Sequence, residues 1–539
     1  MRKMPRSEFV QTPAQMRLRT SLAEGSLLLL LAIVLFNTNR MFTFIDDEID
    51  MLGPAARPTG VFLSSLGALL RGHEHPPLYD IFLNLWLHLT GGAMDWLRAP
   101  SVVFYIVGLF FLSRAARRLA GLAGSTALIW LGVFWPYGFH FGRLAGWYSL
   151  AFFLISGLTW AYLRHADLLA EHGTPSACRS AWICACVFGV ALVYANYLGW
   201  ALLFLLAIDD WIRNRARTGT LKRLLVTAAV FVVVYAPLWP ALRREIAAGT
   251  GIHQSWQFRA ANLAYNTYIL FVSESMAPWF WRFGVPAALA VAACVILGLF
   301  ALRGTAQRLL IFAGLVLLAM ATGGILYPRR LFLAAPWILL AVAAGIGTVK
   351  NHYWRSAMAL SLALIAAAGW YGFYARRYYA TPRFFEPWET VAQDAADTVR
   401  GGGLVIGNNP SFLFYLTYAL QLPQSPSGFH FAGVVTQAFE NPQIWQPEQW
   451  EQAGRPLRPN VLWVLGMPNP PQRSSMADQS KWLDEHCAGH NDRYMARDPS
   501  FEMKQRFAPE INQALWRVEI HNYACSIAPP TAVATPPTP

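Results

Sequence analysis

Charge is what this sequence has least of. Only 14% of its 539 residues are Asp, Glu, Lys or Arg, against 55% hydrophobic, and the mean hydropathy is positive. That supply is too thin to coat several soluble domains of this length, which excludes a chain built only from such domains. Cysteine is scarce too, with six in all, and neither the spacing nor the neighbours of these residues suggest a zinc site. No internal repeat stands out. A small-residue cleavage site is also missing after the first apolar run. Arg2, Lys3, Arg6, Arg17 and Arg19 precede that run, so it reads as a retained signal anchor with its N-terminus in the cytoplasm.

Long apolar runs are what the chain does have. SLLLLLAIVLF, VFYIVGLFFL, LLVTAAVFVVVYAPLW, AALAVAACVILGLFAL and LFLAAPWILLAVAAGIG each come near the length that crosses a hydrocarbon core of roughly 30 Å as a helix. Helix is forced because lipid offers backbone groups no partners. The net charge of +13 would suggest nucleic acid for a soluble protein, but here the arginines sit in short loops between apolar runs and read as topology signals.

Eleven runs, at 22–39, 100–118, 122–139, 147–163, 181–196, 198–213, 221–240, 282–302, 306–325, 327–349 and 355–375, are expected to cross. A twelfth candidate, 76–91, would place Arg114, Arg117 and Arg118, and the Arg213–Arg223 loop, outside if it crossed, against the positive-inside bias. It is also short and interrupted by Asn84 and His88, so an interfacial helix is the better reading. The expected fold is an all-α polytopic membrane domain over 1–378 with about eleven transmembrane helices plus interfacial ones. Residues 40–99, the loop 241–281, the turn Tyr327–Arg330 and the chain beyond Tyr378 then share the non-cytoplasmic side. Within the second loop, HQSWQFRAANLAYNTYILFVSES reads as an interfacial helix or as a lid over a cleft.

Beyond about 380 the character changes. GGGLVIGNNP and NVLWVLGMP look like buried strands bounded by turn residues, and Asn409-Pro410-Ser411 suits a cap for the helix FLFYLTYAL. A small extracytoplasmic α/β domain is therefore expected over 379–528, followed by a disordered proline-rich tail, 529–539. Cys178, Cys184, Cys186 and Cys294 sit in or beside membrane runs as small apolar packing residues, whereas Cys487 and Cys525 would be free to pair as a disulfide in an oxidising compartment.

The chemistry, if present, belongs to the first outer loop. FTFIDDEIDM carries Asp46, Asp47, Glu48 and Asp50 directly after the first crossing, and RGHEHPPLYD brings Glu74 to a place where Pro76 and Pro77 fix the chain direction. A solvated acidic loop is one reading. The sharper one is that two carboxylates on a rigid outer face serve general-base work and hold a polar acceptor. His73 and His75 flank Glu74 as candidate acceptor or metal contacts. A divalent metal stays open as the one cofactor, because three consecutive ligands suit a tetrahedral site only where the chain turns. Arg98, Arg143, Arg329 and Arg330 fall at outer ends of membrane runs, where they either snorkel to headgroups or clamp a lipid phosphate.

DDE after the first crossing, EHPPLYDIFLNLWLHLTGG, LRAPSVVFYIVGLFFLSRAARRLAG, GRLAGWYSLAFFLISGLTWAYL and YPRRLFLAAPWILLA together resemble the polyprenyl-phosphate-sugar dependent glycosyltransferases of the GT-C fold. The likeness covers most of residues 20–350 and lies in the bacterial branch akin to dolichyl-phosphate-mannose protein mannosyltransferases and the aminoarabinose lipid A transferase. It implies transfer of a sugar from a polyprenyl phosphate to an acceptor protein, lipid or glycan outside the cytoplasm, commonly with inversion. It also implies a location in the bacterial inner membrane. Asp47 maps to the catalytic carboxylate, with Asp46 leaving the register open by one residue, Glu74 to the residue positioning acceptor or donor, Arg98 to the arginine opening the next helix, and Arg329 or Arg330 to a late phosphate contact. The lysine that follows HPPLG in the eukaryotic enzymes is absent here, which leaves the acceptor class open. A transporter or flippase of a lipid-linked saccharide is the alternative, but it would want ionisable groups near the bilayer midplane, and these acids cluster at one surface. A membrane-tethered binding protein would instead put its function in the 380–528 domain.

Overall fold

A computed structural model describes residues 13–55, 58–64, 75–248, 255–278, 280–301, 304–375, 388–407, 409–420, 441–465, 470–488, 490–497 and 517–525. The chain divides into two compact units. The first is Met1–Asn39, Leu66–Tyr79 and Arg98–Tyr378; the second is Arg40–Ser65, Asp80–Leu97 and Tyr379–Pro539.

The first unit is helical throughout its described length, as apolar runs without a sheet partner must be. Among the described residues five helices are long and apolar enough to cross a membrane, or six if the bent pair Thr220–Val234 and Ala236–Glu245 counts as one span. One of the five is not a single straight span. The Ala99–Phe134 stretch has 36 residues, which as a straight helix would run about 54 Å, far past a core of roughly 30 Å. It folds back instead. Gly121 takes φ 64°, which glycine reaches without a Cβ clash, and the Tyr105 hydroxyl donates to the Gly132 carbonyl at 3.0 Å. Residues 27 apart would be about 40 Å apart in an unbroken helix, so the stretch is a hairpin of two antiparallel helices. At the centre lies Ala335–Thr348, every residue from Ala335 to Gly345 buried. Such all-round apolarity is what an interior helix needs.

Two ends of this bundle carry its polar groups. At one, Asp209 and Asp210 are buried on the Gly199–Asn214 helix. Asp209 pairs with Arg308 and, at 3.1 Å, with Arg213, and accepts from the Tyr162 hydroxyl at 2.5 Å. Asp210 pairs with Arg223 at 2.5 Å. Arg118 with Asp167 at 2.6 Å, and Arg217 with the Leu169 carbonyl at 2.7 Å, belong to the same end. At the other end Arg98 donates to the Asn39 carbonyl at 2.6 Å. The chain therefore leaves the bundle at residue 39 and re-enters at 98 on the same side, and the segment between them makes no net crossing. Its helix Leu78–Thr90 has 13 residues, about 20 Å, too short to span.

The second unit is α/β. Its sheet runs β2-β1-β3-β5-β4, with β1 (Leu404–Gly407) parallel to β2 (Ile444–Trp445) and β3 (Asn460–Leu465), and with β5 (Arg517–Ala524) antiparallel to β3 and to β4 (His490–Arg497). Leu404, Ile406, Trp450, Val461, Trp463 and Leu483 form its core. Asn409 caps the Pro410–Ala419 helix, its side chain accepting from Phe412 N at 2.9 Å. A disulfide joins Cys487 to Cys525, closing a 38-residue separation and so trimming the entropy of the unfolded chain. Residues 40–65 and 80–97 of the first outer loop group with this domain rather than with the membrane helices, a division that run lengths alone do not reveal.

Candidate functional site

Two sets of candidate residues have to be followed, one in each unit. In the second unit DDE opens a helix, Asp46–Ala55. Acids in a first turn suit the positive end of the helix dipole. Glu48 serves the start of that helix, since its buried Oε2 accepts from Ile45 N at 3.2 Å, the reciprocal half of a capping box. One of the three crowded acids is thus explained by helix initiation. The side chains of Asp46 and Asp47 lie outside the described residues, as do His73 and Glu74 altogether. Among the described residues no group of three or more His, Cys, Asp or Glu could hold a metal ion.

What fixes the acid-bearing helix comes from the C-terminal domain. Phe44 N donates to the buried Tyr415 hydroxyl at 3.1 Å, and the Phe44 ring stands 5.1 Å from that of Phe414. The Tyr418 hydroxyl reaches the Gly92 carbonyl at 3.0 Å, and Arg40 pairs with Asp95 at 2.6 Å. On the Leu78–Thr90 helix Asn84 donates to the Ala55 carbonyl at 2.7 Å, tying it to the end of the acid helix. One turn earlier stands Asp80, 2% exposed. Burial pushes its carboxyl up to about 7, because a charge removed from water is disfavoured. Nothing in the residue types around Asp80 marked it out; a lone acid in HPPLYDIF reads as a surface residue.

In the first unit the arginines gather at the Asn39 end. Arg98 and Arg143 are both 0% exposed, so neither snorkels. Arg98 holds the Asn39 carbonyl; Arg143 donates to the carbonyl and hydroxyl of Thr38 at 2.5 and 2.8 Å and to the Phe139 carbonyl at 2.9 Å. Adjacent residues at the exit of the first helix thus anchor both guanidinium groups. Arg143 also lies over the Phe139 ring, 4.1 Å from its centroid. Arg329 and Arg330 are half-buried on the turn Pro328–Leu333, each over the Tyr327 ring at 5.5 and 5.2 Å. Tyr137, on the short helix Pro136–Phe141, donates to the Pro328 carbonyl at 2.7 Å, which brings that turn to the Arg143 segment. His75 packs on Trp147, ring centroids 5.6 Å apart, and Tyr79 bonds Ser101 at 3.0 Å. The HPPLY segment is thereby docked at this end too.

The 241–281 loop differs from a free lid. Trp256–Val272 is a helix whose last turn is buried, and the residues after it, Ser273, Glu274 and Ser275, are buried as well. His140 Nδ1 meets the Ser273 hydroxyl at 3.2 Å. Run lengths place this region in a loop and give no hint that it enters the bundle.

An apolar groove of about 1330 Å³ runs along the His352–Ala375 helix, from Arg355 to Trp370 and Tyr374, where it meets Trp135, Pro136 and Phe271. Its length along that helix is about 28 Å.

No family model matches this sequence, and no curated protein sequence matches it. Solved structures do. The chain is similar to ArnT from Cupriavidus metallidurans in the apo state, with a TM-score of 0.54 and 14% identity over 93% of this chain and 98% of that one. It is also similar to the same protein bound to undecaprenyl phosphate, with a TM-score of 0.51 and 12% identity over 95% and 99%. Identity this low speaks for architecture and leaves activity to be argued from the site. Near end-to-end coverage of ArnT at these TM-scores identifies this integral membrane protein as a member of the GT-C fold.

Proposed function

We propose that the chain is a glycosyltransferase that moves a sugar from a polyprenyl-phosphate donor to an acceptor protein, lipid or glycan on the non-cytoplasmic face. The observation that carries this reading is the gathering of Arg98, Arg143, Arg329 and Arg330 at one end of a bundle similar to a protein solved with undecaprenyl phosphate. Guanidinium groups suit phosphate by charge and by paired donors. The apolar groove suits an isoprenoid tail. The disulfide between Cys487 and Cys525 agrees with a domain outside the cytoplasm, as does the topology expected from the basic loops.

In the reaction, the acceptor oxygen attacks the anomeric carbon from the face opposite the lipid phosphate. A new carbon–oxygen bond forms as the bond to the phosphate oxygen breaks, with inversion, and the electron pair leaves on the phosphate. Asp47 takes the acceptor proton as general base, Glu74 orients the acceptor or donor, and the half-buried Arg329 and Arg330 meet the charge growing on the phosphate. Arg98 and Arg143 brace the exit of the first helix from the interior. The leaving group is a phosphodiester, so alignment and charge neutralisation supply most of what is required.

Single variants Asp47→Asn and Asp46→Asn test this. The sugar additions on glycoproteins, lipids and envelope polysaccharides are compared by mass analysis with and without each variant, after folding is verified. One of the two is expected to lose transfer by about 10²- to 10⁴-fold, which also resolves the register. Full transfer by both would overturn the mechanism.

A further inference from the structure

The turn that bears Arg329 and Arg330 has every carbonyl from Ile325 to Pro328 occupied. Arg330 donates to the Ile325 carbonyl at 3.2 Å from its guanidinium and to the Tyr327 carbonyl at 3.0 Å from its backbone N, and the Tyr137 hydroxyl holds that of Pro328 at 2.7 Å. The remaining carbonyl, on the buried Leu326, accepts from Asn262 Nδ2 at 3.0 Å. That donor comes from another segment altogether. Asn262 lies on the Trp256–Val272 helix, 64 residues away in the chain.

A second asparagine decides which way the first one faces. Asn266, fully buried one turn later, donates its Nδ2 to the carbonyl of Asn262 at 2.8 Å and to its Oδ1 at 2.7 Å. A side-chain amide has one acceptor end and one donor end. With Oδ1 engaged by Asn266, the Nδ2 end is left to meet Leu326; turned the other way, the amide would set its oxygen against the Leu326 carbonyl and its donors against those of Asn266. Asparagine is a poor helix former, and neither residue serves the cap, which Ser255 supplies. Two of them spaced i, i+4 in a helix interior break a local preference, and such breaks belong with sites that need the residue for something besides the helix. An apolar pair would suffice to pack this helix on the turn. A donor of fixed direction does more: it sets the tilt of the Leu326 carbonyl, and with it the peptide planes that lead into Arg329 and Arg330.

We propose that Asn262, oriented by Asn266, is a positioning residue of the donor site: by holding the Leu326 carbonyl it sets the angle at which Arg329 and Arg330 meet the lipid-linked phosphate. This rests on the donor reading above and deepens it, since the 241–281 segment becomes a brace for the phosphate contact. The amides themselves touch no ligand. They act through the two guanidinium groups, whose paired donors serve phosphate only when correctly aimed.

The test uses the full chain in lipid nanodiscs and two lipids with the same tail, undecaprenyl phosphate and undecaprenol. The wild type is expected to bind the phosphate-bearing one more tightly. Asn262→Leu, close in volume and without a donor, should weaken undecaprenyl phosphate by about tenfold and leave undecaprenol binding as before. Asn266→Leu keeps the donor but releases its direction, and should show the same selective loss to a smaller extent, which covers the case in which the first variant fails to fold. The deciding readout is coupling to the turn. In a chain that already carries Arg330→Gln, Asn262→Leu should weaken undecaprenyl phosphate by no more than about threefold, whereas independent residues would multiply their losses to about a hundredfold. Multiplied losses, equal losses for the two lipids, or unchanged binding in both asparagine variants would overturn the inference and leave the donor reading standing. A wild type that binds the two lipids alike would remove the donor reading, and the inference with it.

Discussion

The two ends of the membrane unit handle buried arginine differently. At the Asp209 end Arg213, Arg223 and Arg308 are answered by carboxylates. At the Asn39 end the bonds of Arg98 and Arg143 run to carbonyls and a hydroxyl. A carboxylate cancels a guanidinium charge, whereas a carbonyl orients it. The first arrangement is a staple between helices. The second fixes the direction of two buried guanidinium groups at the exit of the first helix.

Removing a staple acid should have the largest effect. Asp209→Asn leaves Arg308 and Arg213 facing a neutral amide in a mostly buried setting, and should cost about 3 kcal/mol or more. Thermal unfolding in detergent reads this directly, and an unchanged midpoint would break the contrast between the ends.

Asp80, a buried acid, sharpens the comparison from the second unit. Its carboxyl is raised to about 7 by burial alone, so the folded chain keeps a proton that the unfolded chain releases above about pH 4. The stability linked to it is fully present below about 4 and is lost as pH rises to about 7, by an amount on the order of a few kcal/mol. Asp80→Asn should flatten that part of the stability profile between about pH 4 and 7. A slope identical to the wild type would assign the dependence to other groups.

At the Asn39 end the expected readout is ligand rather than stability. Arg330→Gln should lower undecaprenyl phosphate affinity by about tenfold with little change in melting, since the side chain is half-buried and bonds the Ile325 carbonyl, at 3.2 Å. The reverse pattern, a lower melting point with affinity intact, would make this turn another staple. The smallest effect is reserved for Asp167→Asn. Its pair with Arg118 is partly exposed on both sides, and such pairs are worth about 0–1 kcal/mol, so the melting point should barely move.

Legibility followed the range of the interaction. Asn409 as a helix cap and the apolar stretches around Val405 and Val461 could be read locally, because capping and strand patterning act over three or four residues. The short, interrupted run before Gly92 was readable from its length as a helix too short to span. Glu48 could have been recognised as a capping residue from its place three after Ile45, a signal obscured by the more conspicuous crowding of acids. Arg98 and Arg143 were legible as charges at helix ends, but not as fully buried ones, since burial depends on where Thr38 and Asn39 are carried by a helix roughly sixty or more residues away in the chain.

Composition and the spacing of apolar runs by themselves determined that this is a membrane protein, which segments are helical and which loops carry like charge, because transfer to lipid is decided residue by residue. Tertiary structure alone decided that the stretch from Ala99 to Phe134 doubles back on itself, that residues 40–65 and 80–97 group with the C-terminal sheet, and that Glu274 is held inside. Those outcomes depend on contacts between residues distant in the chain, such as Tyr105 with Gly132, Phe44 with Tyr415 and Ser275 with Gly372, and no local pattern encodes the distance between such partners.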